Sequence, residues 1–162
     1  MAQTGLRSSV RLLCTGDLVA CSVRDRKYAP RMHSKGAKGD RSALVGAYYG
    51  AALRQLDFSK AALSSVSGPK LLWLDRCTFA GADLRFATLD GWHFKLCDLT
   101  GANLRGASLR GASFAGCDLT GADLRDTDLT YVRFGSVGVG DGAIETRLDR
   151  VLCDPGVELS LS

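Results

Sequence analysis

From Leu74 to Phe134 a large apolar residue returns at every fifth position, thirteen times without a gap: Leu74, Phe79, Leu84, Leu89, Phe94, Leu99, Leu104, Leu109, Phe114, Leu119, Leu124, Leu129 and Phe134. A period of five fits neither the 3.6 residues of a helical turn nor the two of a flat strand. It fits a short extended piece, whose positions i and i−2 share one face, followed by a turn. Position i−2 is small in most units: Cys77, Ala82, Ala87, Cys97, Ala102, Ala107, Ala112, Cys117 and Ala122. Asp, Asn, Ser or Thr usually lies between the two, and Gly often follows two residues after the large one. Repetition of such a unit predicts a coil with Leu/Phe and Ala/Cys inside and polar residues outside.

A period of twenty overlies the five. Phe94, Phe114 and Phe134 are twenty apart, as are Cys77, Cys97 and Cys117, and Arg85, Arg105 and Arg125. The stretch 97–105 returns at 117–125 with Asp123 in place of Asn103. Identical residues stack if one coil takes twenty residues on four sides, which also aligns Leu84, Leu104 and Leu124 as a core ladder. Composition agrees. The chain holds 19 Gly in 162 residues, well above the usual ~7%. Its acids are 15 Asp against 2 Glu, a turn-former far outnumbering a helix-former.

The units Ala82-Asp83-Leu84-Arg85-Phe86 and Ala122-Asp123-Leu124-Arg125-Asp126 resemble the A(D/N)LXX signature of the pentapeptide-repeat family. The resemblance is continuous over residues 72–136. It implies an all-β fold, a right-handed quadrilateral β-helix with twenty residues per coil. Weaker units extend the pattern back through Leu63, Phe58 and Leu53, with one extra residue near Ser67-Gly68-Pro69-Lys70, and then to Val23, Leu18 and Leu13. The expected solenoid therefore covers residues 1–136, with 72–136 the most regular part and a basic loop inserted at 24–47. About five to six coils at ~4.8 Å each give a height of roughly 25 Å. Residues 137–162 break the pattern and are expected to cap the open end or to dimerise. There Asp141 is placed to cap a short helix carrying Ile144, Leu148, Val151 and Leu152 at i, i+4, i+7 and i+8.

Charge divides the chain. Residues 1–41 hold nine Lys/Arg and three Asp, and residues 42–162 hold twelve Lys/Arg and fourteen Asp/Glu. The basic excess lies in Arg24, Arg26, Lys27, Arg31, Lys35, Lys38 and Arg41, a candidate surface for nucleic-acid backbone or an acidic protein. Arg85, Arg105 and Arg125 form a second candidate, a cationic stripe or a ladder neutralised by Asp83 and Asp123. Cys77, Cys97 and Cys117 are read as core packing, since free Cys behaves as a small hydrophobe. Leu18-Val19-Ala20-Cys21 resembles a lipoprotein site but lacks an uninterrupted apolar run. The expected location is the cytoplasm, with reduced thiols and no membrane span. Only His33 and His93 offer neutral-pH bases, and no nucleophile–base–orienter set, cofactor loop or metal spacing emerges. The reading is a non-catalytic protein-binding module without cofactors. The resemblance narrows it to a modulator of DNA gyrase or topoisomerase IV, as for the Qnr-like and mycobacterial fluoroquinolone-resistance members of the family. The alternative is a structural scaffold that contacts nucleic acid through the basic loop.

Overall fold

The computed structural model describes residues 32–138, 142–159 and 161. The units expected at Leu13, Leu18 and Val23, and the capping Asp141, lie outside the described residues.

Each five-residue unit forms one side of a coil. The amide before the large residue donates to the coil above and the large residue's own amide donates to the coil below: Asn103 N–H to Ala82 O and Leu104 N–H to Asp123 O, both 2.9 Å. The next unit then turns the corner, Ala107 N–H closing onto Leu104 O at 2.9 Å. These bonds leave few backbone groups for water to satisfy. The corner residue, two after the large one, adopts left-handed φ, as in Gly106 (69°) but also in Phe86 (57°) and Asp126 (59°). Gly106 answers a second demand as well: a Cβ there would lie 2.6 Å from the Phe86 ring stacked on it.

One side is regular enough to count as a parallel sheet. It runs through β1 (Met32–Lys38), β2 (Ala52–Asp57), β3 (Trp73–Asp75), β4 (His93–Lys95), β5 (Ser113–Ala115) and β6 (Arg133–Val137). Leu74, Phe94, Phe114 and Phe134 stand in register at its centre. The other three sides are ladders of single bridges, such as Ala62–Asp83–Asn103–Asp123. The fold is thus the expected right-handed quadrilateral β-helix, of about five turns. Phe94 and Phe114 stack inside with centroids 4.7 Å apart and 7° between planes, and Phe134 follows at 5.4 Å. Leu84, Leu104 and Leu124 are buried in the ladder of the opposite side.

The expected extra residue is present: Leu53 pairs with Leu74, twenty-one positions on, where later coils step by twenty. Gly68 in that loop lies against Trp92, and a Cβ on it would fall 2.5 Å from the indole. Trp92 is buried and donates to Pro69 O at 3.0 Å.

Both ends depart from expectation. Within the described part of the basic segment, residues 32–47 do not project as a loop. β1 pairs in parallel with β2, with an irregularity between His33 and Ala37 where Gly36 takes φ +75°. A single helical turn, α1 (Arg41–Val45), follows. Asp40 caps it by accepting the amides of Ser42 and Ala43, and its buried Ala43 and Leu44 join the core. Gly36 serves the bulge in β1, and α1 adds a short apolar pair to the core.

At the other end the helix expected over 144–152 does not form. β6 and β7 (Ile144–Glu145) make an antiparallel excursion, after which the chain rejoins the stack. Arg147 bridges Asp118 and Leu152 bridges Asp123, each twenty-nine positions on, and Leu161 bridges Phe134. The helical reading failed because these residues also obey the five-residue grid: Thr146 and Leu148, then Val151 and Cys153, occupy slots i−2 and i. The exposed edge of the preceding coil offers amides and carbonyls that such a segment satisfies, with Leu119 N–H donating to Arg147 O at 2.9 Å and Leu124 N–H to Leu152 O at 2.7 Å.

Candidate functional site

Cys77, Cys97 and Cys117 form a buried column, as their slot predicts. Each thiol points at the carbonyl of the coil above: Cys77 Sγ to Leu53 O (3.6 Å), Cys97 to Leu74 O (3.4 Å) and Cys117 to Phe94 O (3.4 Å). Hydrogen bonding to Cys117 and Cys77, together with burial, pushes the Cys97 thiol well up, away from the reactive thiolate. The column ends in Thr146, nearly fully buried, whose hydroxyl lies 3.0 Å from Phe114 O and 2.7 Å from Gly135 O and accepts the Cys117 amide at 3.2 Å. Sequence reading missed this residue because the nine-residue offset before it hides its place in the column.

The arginine column is a neutralised ladder. Arg85 grips Asp83 through Nε and Nη2 at 2.9 and 2.8 Å, and Arg125 grips Asp123 at 2.9 and 2.7 Å. Where Asn103 replaces the acid, Arg105 reaches to Asp126 on the next coil at 2.8 Å. The arginine hydrogen bonds hold the Asp83 and Asp123 carboxyls below the usual carboxylate range.

The basic segment is divided. Arg24, Arg26, Lys27 and Arg31 lie outside the described residues, and Lys35 falls in β1. Lys38 pairs with Asp57 at 2.6 Å, and Arg41 donates to Ser64 O (2.7 Å) and Ser65 O (3.0 Å), tying α1 to the coil below. These two cations are occupied in holding the upper end together.

The outward columns of the sheet side combine aromatic surface with excess positive charge, a pairing that sequence reading did not single out. One column reads Ala52, Trp73, His93, Ser113, Arg133, and the next Arg54, Asp75, Lys95, Ala115, Gly135. Trp73 is 47% exposed and stacks on His93 with centroids 4.2 Å apart and 21° between planes. His93 Nδ1 is hydrogen-bonded to Ser113 Oγ at 2.6 Å, which fixes the ring. Burial and then the Arg133 charge lower the His93 pKa, favouring a neutral imidazole. Asp75 is the one carboxylate in these columns, shared at 3.6 Å with Arg54 and 3.9 Å with the corner residue Arg76. Lys95 and Arg133 are exposed and meet no carboxylate at ion-pair distance among the described residues. Glu145 on β7 adjoins the last rung. The signal was present in the twenty-residue period, but Trp73, His93 and Arg133 differ in type and so do not show as a repeat.

Among the described residues no group of three His, Cys, Asp or Glu is placed to hold a metal ion, and no helix is long and apolar enough to cross a membrane.

Residues 97–135 match the family model for pentapeptide repeats, with eight copies. Among curated proteins none matches in sequence. Similar solved structures include the pentapeptide repeat protein Rfr23 from the cyanobacterium Cyanothece 51142, 27% identical over 65% of this chain and 63% of that one, with a TM-score of 0.49. Trypsin-treated QnrB1, a plasmid-mediated fluoroquinolone resistance protein, is 27% identical over 62% of this chain and 54% of its own, TM-score 0.36. HetL, involved in heterocyst differentiation regulation in Nostoc sp. strain PCC 7120, is 26% identical over 64% and 47%, TM-score 0.36. The chain thus spans less than two thirds of each of these three. This chain carries pentapeptide repeats, eight matched copies over residues 97–135, on a five-residue grid that the structure continues from Leu53 to Cys153.

Proposed function

We propose that the chain is a non-catalytic protein-binding module whose flat outer sides are its working surfaces. The observation that carries this reading is the division between core and surface. The interior is filled by stacked Leu, Phe, Ala and Cys, and the polar groups stand outside in straight columns. Chemistry needs groups that converge on a reacting atom, whereas straight columns suit recognition of an extended surface. The location that goes with this reading is the cytoplasm. In its sharpest form the partner is DNA gyrase or topoisomerase IV, a target supplied by the family resemblance. The charge pattern limits how such a partner would be met. A mimic of DNA needs a dominantly negative side, yet the Arg85/Arg105/Arg125 column is matched acid for base. The contact would therefore rest on shape and local pairing. A structural scaffold is the second reading, favoured by that same neutralised ladder. Either form accommodates a homodimer through the C-terminal coil, where Ile144, Leu152, Val157 and Leu161 are left exposed.

The test is a supercoiling and drug-stabilised cleavage assay on purified gyrase and topoisomerase IV. Modulation at micromolar protein supports the topoisomerase form, and no effect at that concentration overturns it. Sedimentation of the full chain decides the homodimer.

A further inference from the structure

We propose that the outer face of the sheet side binds single-stranded nucleic acid, with Trp73 as the base-stacking shelf and Lys95 and Arg133, supported by Arg54 and Arg76, as the phosphate contacts. The solenoid's parallel register is what makes the shelf. Side chains in one column lie one above another at about 4.8 Å per rung, so a flat ring on one rung offers its face to the next. On one side of Trp73 that rung is filled by His93, stacked at 4.2 Å and fixed by Ser113. On the other side the rung belongs to Ala52, whose single methyl cannot cover an indole. The half-exposed ring is therefore a platform with one face backed and the other short of a partner. An unpaired base is a planar group suited to that place, and base–aromatic stacking contributes about 1–3 kcal/mol per base. A base within a duplex is already stacked and does not present its face, so the geometry selects single strands.

The charge around the shelf fits the same occupant. Arg54 and Arg76 share the single carboxylate of Asp75, and Lys95 and Arg133 meet none at ion-pair distance among the described residues. The opposite situation holds on the arginine column, where each guanidinium already grips an Asp. From the Ala52 rung to the Arg133 rung the face runs about 19 Å at ~4.8 Å per coil, a length suited to a few nucleotides. An acidic protein would satisfy the cations but would leave the indole unexplained.

The test is fluorescence anisotropy of a fluorescein-labelled oligothymidylate titrated with the full chain across a salt series. Binding should weaken steeply with salt, and Trp73→Ala should lower affinity roughly tenfold. Lys95→Glu and Arg133→Glu, both exposed and remote from the core, should each reduce the salt slope by about 0.7 or more. Arg85→Ala, on the neutralised column, should leave the affinity within about twofold. Circular dichroism melts confirm the fold of each variant, and if Trp73→Ala fails to fold, the two charge reversals decide alone. No binding at low salt overturns the proposal. So does equal competition by polyglutamate with no loss from Trp73→Ala, which would make the face a general docking surface for acidic proteins. Binding that survives all three changes on the sheet side would place the contact elsewhere and also overturn it.

Discussion

The central coils and the final coil reach the same architecture from different sequences. Over 72–136 the inward small slot holds Ala or Cys in nine of thirteen units and the large slot holds Leu or Phe throughout, so the motif and the fold coincide. In the final coil those slots hold Thr146 with Leu148 and Val151 with Cys153, reached after the β6–β7 excursion, and the motif is nearly gone. Yet Arg147 and Leu152 bridge the coil above as faithfully as any regular rung. The difference shows that two conditions build a coil: an edge that presents unpaired backbone groups, and a segment whose apolar residues fall five apart. The consensus supplies the second condition many times over, but a degenerate segment meets it once when an edge is already there.

The largest expected effect separates the two regions outright. Leu104 is fully buried between Leu84 and Leu124, so Leu104→Arg places an unpaired charge in the middle of the stack and should abolish cooperative folding. Leu148 is only partly buried at the end, and Leu148→Arg should release the final coil while the central coils still melt cooperatively. Circular dichroism with limited proteolysis distinguishes the outcomes. If both variants unfold alike, the final coil is not an addition to a self-sufficient stack but part of it.

The next effect concerns the column shared by both regions. Thr146→Val keeps the volume but leaves the buried Cys117 amide without its acceptor, a loss of about 1–3 kcal/mol. Cys97→Ala, inside the regular coils, removes one sulfur from a slot that Ala fills elsewhere and should cost about 1 kcal/mol. Denaturant titration of the two variants gives the order. Thiol labelling of the native protein adds a direct reading, with Cys153, half-buried, reacting before Cys77, Cys97 and Cys117.

The regular coils were legible because periods of five and twenty cannot be satisfied by helix or flat strand. Leu84, Phe94 and Cys97 could be placed inside from spacing alone. The single extra residue near Gly68 was also visible as a count. The two ends were not legible, for related reasons. Leu148 and Val151 fit a helical stripe over 144–152 as well as the pentad grid, and only the waiting edge of the coil above decides. Over 32–45 the sequence reads as a basic loop, because nothing in it announces that β2 will pair with Met32–Lys38. The surface was legible in half. Arg85, Arg105 and Arg125 repeat, so they were noticed, although the structure shows them matched by acids. Trp73, His93 and Arg133 share a column just as strictly but share no chemistry, and a search for repeats passes over them.

The smallest effect sharpens the contrast between these two columns. In the folded chain the Arg125 hydrogen bonds hold the Asp123 carboxyl below its ordinary range. A depressed carboxyl contributes stability that is present above its unfolded pKa of about 3.9 and is lost as pH falls through the lower folded value. Arg125→Ala should therefore return Asp123 toward the ordinary range in a carbon-detected NMR titration. The thermal midpoint near neutral pH should scarcely move, because an exposed pair gives back in side-chain entropy and screening most of what it gains in attraction. A large fall in the midpoint would mean that the ladder is structural, binding the coils together from outside. An unchanged Asp123 titration would mean that the arginine is not seated on it in solution, and the column would then count as free positive charge beside that of the sheet side.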